Sequence, residues 1–89
     1  MTRRTKIDIM NDMLVAIQQK GGKIKPTHMM YKANLSHKLL SKYISEFLEK
    51  QLIEEIDVKG QKYYTLTDKG LSFINQYRKM TEFKELFDI

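Results

Sequence analysis

Three long stretches of this chain space their apolar residues three or four apart, and a shorter one approaches alternation. Ile7, Met10, Leu14 and Ile17 form one stripe that Met13 and Ala16 widen, which predicts an amphipathic helix from Lys6. Gly21-Gly22 ends it, because glycine enters the left-handed conformation common at helix C-termini without steric penalty. Leu39, Leu40, Tyr43, Ile44, Phe47 and Leu48 predict a helix from Ser36 to about Lys50 that is buried along one face. Leu71, Phe73, Ile74, Tyr77, Met80, Phe83, Leu86 and Phe87 predict a last helix opening at Thr67. Between these two helices, Leu52 to Val58 and Lys62 to Leu66 read as strands, joined into a hairpin by the turn Lys59-Gly60-Gln61. Lys23-Ile24-Lys25 is long enough only for a bridging strand. Pro26 suits the first turn of a short helix, Thr27 to Lys32, which Asn34 closes.

The punctuation agrees with this order. Ser36 is placed to cap its helix, and Leu35 and Leu40 flank that cap as a hydrophobic staple. Leu66 and Leu71 repeat the arrangement around Thr67. Gly70 costs up to about 1 kcal/mol relative to alanine in a helix, so close backbone packing is expected there. Two helices joined through Ala33-Asn34-Leu35 must cross steeply. The expected fold is α+β, mostly α: a winged helix-turn-helix with an added C-terminal helix. It divides into a basic tail (1–5), a winged-helix domain (6–70; recognition helix 36–50, wing 56–64) and a C-terminal helix (67–89).

Charge sharpens the picture. The 89 residues carry a net charge of +5, unevenly placed. Residues 1–45 hold nine Lys/Arg against two acids, a net of +7, whereas residues 46–89 hold seven against nine, a net of −2. The positive half therefore favours a polyanionic partner. There is no cysteine, which removes disulfides and cysteine-ligated metals. No apolar run would span a bilayer, and Asp8, Asn11 and Asp12 interrupt any secretory-signal pattern, so a cytoplasmic, nucleoid-associated protein is expected.

Candidate chemistry is sparse. Asp8 and Asp12 sit one turn apart, but acids favour the first half of a helix on electrostatic grounds alone. His28 and His37 have no metal-ligand spacing beside them, no glycine-rich phosphate loop is present, and neither an enzyme nor a cofactor is expected. The polar face of the helix from Ser36 is different: His37, Lys38, Ser41, Lys42 and Ser45 are all non-acidic hydrogen-bonding groups. Such a strip suits phosphates and base edges of duplex DNA, with Glu46 and Glu49 marking where it stops. Tyr31, Lys32 and Ser36 adjoin it, Lys59, Gln61 and Lys62 lie at the hairpin tip, and Arg3 and Arg4 could add a tail contact. Phe73, Tyr77, Met80, Phe83 and Phe87 lie near one seam of the last helix, which points to a homodimer. The competing reading is a protein-interaction module that binds no DNA.

The runs YKANLSHKLLSKYISEFLEKQLIEE and YYTLTDKGLSFINQY also resemble small archaeal winged-helix DNA-binding proteins, a group of chromatin-associated proteins and transcriptional regulators. The resemblance covers roughly Ile24 to Tyr77 and is most specific at Tyr31–Ser36 and Tyr64–Gly70. It implies a third helix in the major groove, a wing on the flanking backbone and a dimerising C-terminal helix. Gln51 stands where that group usually ends the recognition helix with glycine, so a different junction into the wing is expected. The C-terminal helix is shorter than the long antiparallel arm of the chromatin members.

Overall fold

The computed structural model describes residues 4–89. The elements follow the order α1 (Lys6–Gln19), β1 (Lys23–Ile24), α2 (Pro26–Ala33), α3 (His37–Glu49), β2 (Ile53–Val58), β3 (Gln61–Leu66) and α4 (Asp68–Leu86). The strands form one antiparallel sheet in the order β1-β3-β2, with Ile24 opposite Tyr64 and Glu55 opposite that same tyrosine. Alternation along the strands turns Ile24, Ile53 and Tyr64 toward the helices. There they meet Met13, Leu14 and Ile17 of α1, Met29 of α2 and Phe47 of α3 in a single core.

Local chemistry sets the helix boundaries. Thr5 caps α1 with a capping box: its hydroxyl accepts from the Asp8 N–H and the Asp8 carboxylate accepts from the Thr5 N–H. Thr5 thus belongs to the helix start, not to a tail. Each of the first three helices ends on a left-handed residue: Gly21, Asn34 and Gln51. After α3, the Leu52 N–H donates to the Phe47 carbonyl at 2.9 Å and the Gln51 N–H to Leu48 at 3.2 Å, a Schellman ending. Gln51 (φ 62°) therefore makes the junction that glycine usually makes, despite its Cβ.

Gly70 is placed by the same junction. A Cβ there would run into the Leu52 carbonyl oxygen, so α4 can start against the end of α3 only without a side chain. Thr67 completes the joint, its hydroxyl donating to the Gln51 carbonyl at 2.7 Å and accepting from Gly70 N–H at 3.0 Å.

The apolar stripes are narrower than the periodicity suggests. Ile7 is 47% exposed, and Leu39 and Leu48 are 39% and 36% exposed, so none of the three belongs to the core. Along α4, Ile74 is buried and Phe73 packs against the core, but beyond Tyr77 only Thr81 is partly covered. The distal turns of α4 leave the domain, which accounts for a long axis of 48 Å against 26 and 22 Å.

Candidate nucleic-acid interface

The helix-turn-helix is set by three local devices. Asn34 (φ 54°, ψ 56°) turns the chain, the Leu35 N–H donates to the Met30 carbonyl at 3.0 Å, and the Ser36 hydroxyl accepts from the Leu39 N–H at 3.2 Å. Leu35 packs on the core, so α3 enters at a fixed angle with Leu40, Tyr43, Ile44 and Phe47 facing inward. The same rotation turns His37, Lys38, Ser41, Lys42 and Ser45 to solvent on one side. Leu39, which periodicity had assigned to the core, borders this face and is 39% exposed. Tyr31 (76% exposed) and Lys32 continue the surface onto α2. Ser36 adjoins it, with its hydroxyl oxygen engaged by the cap.

Among the described residues, neither Lys38 nor Lys42 meets an acid within ion-pair distance; the four pairs that form involve Arg4, Lys6, Lys50 and Lys62. Glu46, which marks the end of the strip, sits between Lys6 at 3.1 Å and Lys50 at 3.7 Å. The hydrogen bond from Lys6 holds its carboxyl below the usual glutamate range, although desolvation opposes that. Glu46 is thus offset by its two lysines, whereas the exposed Glu49 has no ion pair among the described residues, so the strip still ends in an acid.

The hairpin tip is tighter than expected. Lys59 (φ 53°) and Gly60 (φ 81°) form a two-residue turn, closed by Gly60 N–H donating to Asp57 Oδ1 at 2.8 Å. Gln61 already belongs to β3, opposite Val58. Lys59 projects at the tip without an ion pair among the described residues, whereas Lys62 faces Glu55 at 3.7 Å. The two lysines of the wing are therefore unequal.

Arg3 lies outside the described residues. Arg4 is held within the fold: its guanidinium donates to Asp12 and to the Ala33 carbonyl, both at 2.8 Å, and to the Asn34 carbonyl at 3.2 Å. It ties the start of α1 to the end of α2, where the carbonyls carry the negative pole of the helix. Nothing in the spacing of Arg4 and Ala33 announces this clamp.

The proposed seam of α4 divides in two. Phe73 packs on the core, and the Tyr77 hydroxyl makes a short hydrogen bond to Asp8 on α1. That bond is the main cause that holds the Asp8 carboxyl below its usual range and pushes the Tyr77 phenol up. Met80, Phe83 and Phe87 are exposed instead, with the last two rings 4.9 Å apart. Leu86 and Ile89, 78% and 74% exposed, extend this apolar end. No group of three or more His, Asp or Glu that would hold a metal ion occurs among the described residues. No helix among them is long and apolar enough to cross a membrane.

An α2–turn–α3 pair, a two-stranded wing beside it and a third strand bracing both define a helix-turn-helix protein of the winged type. Residues 3–85 match the model of the winged helix-turn-helix family, and the chain belongs to that family. An uncharacterized protein of Methanocaldococcus jannaschii is 38% identical over 68 residues, which are 76% of this chain and 29% of that one. The chain thus spans under a third of that relative's length. The fold is similar to that of Sso10a-2, a DNA-binding protein from Sulfolobus solfataricus, with a TM-score of 0.81 and 20% identity over 94% of this chain and 85% of that one. It is also similar to F93 from STIV, a winged-helix DNA-binding protein, with a TM-score of 0.74 and 16% identity over 94% of this chain and 95% of that one. The archaeal winged-helix resemblance read from residues 24–77 is the one these comparisons find.

Proposed function

We propose that this chain binds double-stranded DNA, as a transcriptional regulator or a chromatin-associated protein, and acts at the nucleoid. The observation that carries the reading is the exposed face of α3, where Lys38 and Lys42 form no ion pair among the described residues and stand beside His37, Ser41 and Ser45. The DNA binding of Sso10a-2 and F93 supports it by analogy of fold. In this reading α3 enters the major groove. Lys38 and Lys42 meet phosphates or guanine edges, and His37, Ser41 and Ser45 supply further hydrogen bonds. Tyr31, Lys32 and Lys59 contact the flanking backbone. Arg4 contributes by fixing the turn, and no catalytic step is proposed. A mobility-shift titration on random-sequence duplex at two salt concentrations tests the reading. Binding that weakens steeply with salt is expected, and no binding at low salt would end it.

The apolar end of α4 supports a homodimer in which residues 67–89 pair the two copies through Met80, Phe83 and Phe87. Sedimentation of Phe83→Ser with Phe87→Ser is expected to give a monomer from a dimeric parent. The same exposed end favours the second reading, a protein-interaction module. That reading predicts partner binding that barely responds to salt and leaves Lys38 and Lys42 dispensable.

A further inference from the structure

A second cationic site lies away from both α3 and the wing tip. Lys23 on β1 and Lys25 at the start of α2 converge on one aromatic ring, with their ammonium groups 4.9 and 6.0 Å from the centroid of Tyr63. The register explains the meeting. Lys23 lies opposite Thr65, and Tyr63 is two residues earlier on β3, so both side chains stand on the face of the sheet turned away from the core. Two like charges gathered there repel one another, and the ring face offsets part of that cost. No acid among the described residues lies within ion-pair distance of either lysine. The acid on this side of the sheet is Glu54, opposite Thr65 on the far strand and two strand spacings, roughly 10 Å, from β1. From Asp12 to Glu46 the chain has no acid at all. The exposed residues His28, Tyr31 and Lys32 of α2 then lead from this site toward α3.

We infer that Lys23 and Lys25, held over Tyr63, form a second phosphate-binding site that takes the DNA backbone flanking the α3 contact. The inference rests on the DNA-binding reading above and extends its footprint along the duplex. The site reads no sequence, because an ammonium on a phosphate carries no base information. Its contribution is counterion release, about 0.9 in log–log salt slope for each phosphate neutralised.

The test is a set of salt titrations of the full chain on a random-sequence duplex of about three helical turns and on one of about one turn. On the longer duplex, Lys23→Ala with Lys25→Ala is expected to make the slope shallower by about 1.8 and to weaken binding on the order of tenfold near ~0.1 M salt. Lys23→Arg with Lys25→Arg, which keeps both charges, is expected to retain the parental slope; its melting curve and that of the alanine pair check the fold. On the short duplex the alanine pair and the parent are expected to converge. An unchanged slope on the long duplex, with Lys38→Ala plus Lys42→Ala still making it shallower, would overturn this site and leave the α3 reading standing. A parent that binds neither duplex would overturn both.

Discussion

The two longest helices after α1 begin alike and end differently. Both α3 and α4 open on a hydroxyl cap flanked by leucines, Ser36 between Leu35 and Leu40 and Thr67 between Leu66 and Leu71. α3 then buries Leu40, Tyr43, Ile44 and Phe47 along its length and leaves a cationic strip outside. α4 buries Gly70 and Ile74 in its first half and carries Met80, Phe83, Leu86 and Phe87 exposed in its second. One helix is finished by its own domain and offers charge. The other is unfinished and offers apolar area. Periodicity alone reads both as amphipathic; what separates them is how far the rest of the chain reaches to cover each.

The largest effect should fall where α3 is finished. Phe47→Ala removes a fully buried ring and is expected to cost about 3–5 kcal/mol in chemical unfolding. Phe83→Ala, on the uncovered half of α4, is expected to leave unfolding of the monomer almost unchanged and to act on sedimentation instead. A loss at Phe83 as large as at Phe47 would mean that the domain does cover that half. Next comes Gly70→Ala, which drives a methyl into the Leu52 carbonyl and is expected to cost about 3 kcal/mol. A neutral outcome would show that the joint between α3 and α4 can slide.

The contact that holds the middle of α4 has a pH signature. The Asp8 carboxyl is lowered from the ordinary 3.8, chiefly by the Tyr77 hydroxyl. A depressed carboxyl stabilises the fold above its unfolded pKa, and that gain is lost as pH falls through the folded value. The excess stability of the parent over Tyr77→Phe is therefore expected to be present at neutral pH and to shrink on acidification below about 4. Parallel unfolding curves at pH 7 and pH 3 would contradict it. The smallest effect is expected at the end of α3. Gln51→Gly relieves a left-handed side chain and should raise stability by about 0.5–1 kcal/mol, measured by the same unfolding.

Much of this fold was legible in the residues. Capping hydroxyls, staples and left-handed stops are local signals, and Ser36, Thr67, Gly21 and Asn34 act as their types suggest. Gly70 was legible as a close approach, although the Leu52 carbonyl it approaches was not. What escaped was long-range. Arg4 meets Ala33 across 29 positions and Tyr77 meets Asp8 across 69, and no periodicity encodes such distances. The exposure of Ile7, Leu39 and Leu48 escaped for a related reason: an apolar stripe shows which residues can be buried, and only the packed neighbours decide how wide the buried strip is. On α3, the exposure of Lys38 and Lys42 was legible from spacing. The pairing of Lys62 with Glu55, and the gathering of Lys23 and Lys25 on Tyr63, needed the strand register.

We propose that the outer face of α3 is where this chain meets the phosphates of DNA. The most direct measurement is the salt dependence of duplex binding for the parent and for Lys38→Ala with Lys42→Ala. A log–log slope shallower by about 1.8 in the double variant, with its melting curve unchanged, is the expected result. Equal slopes for the two proteins would place the DNA contact elsewhere on the molecule.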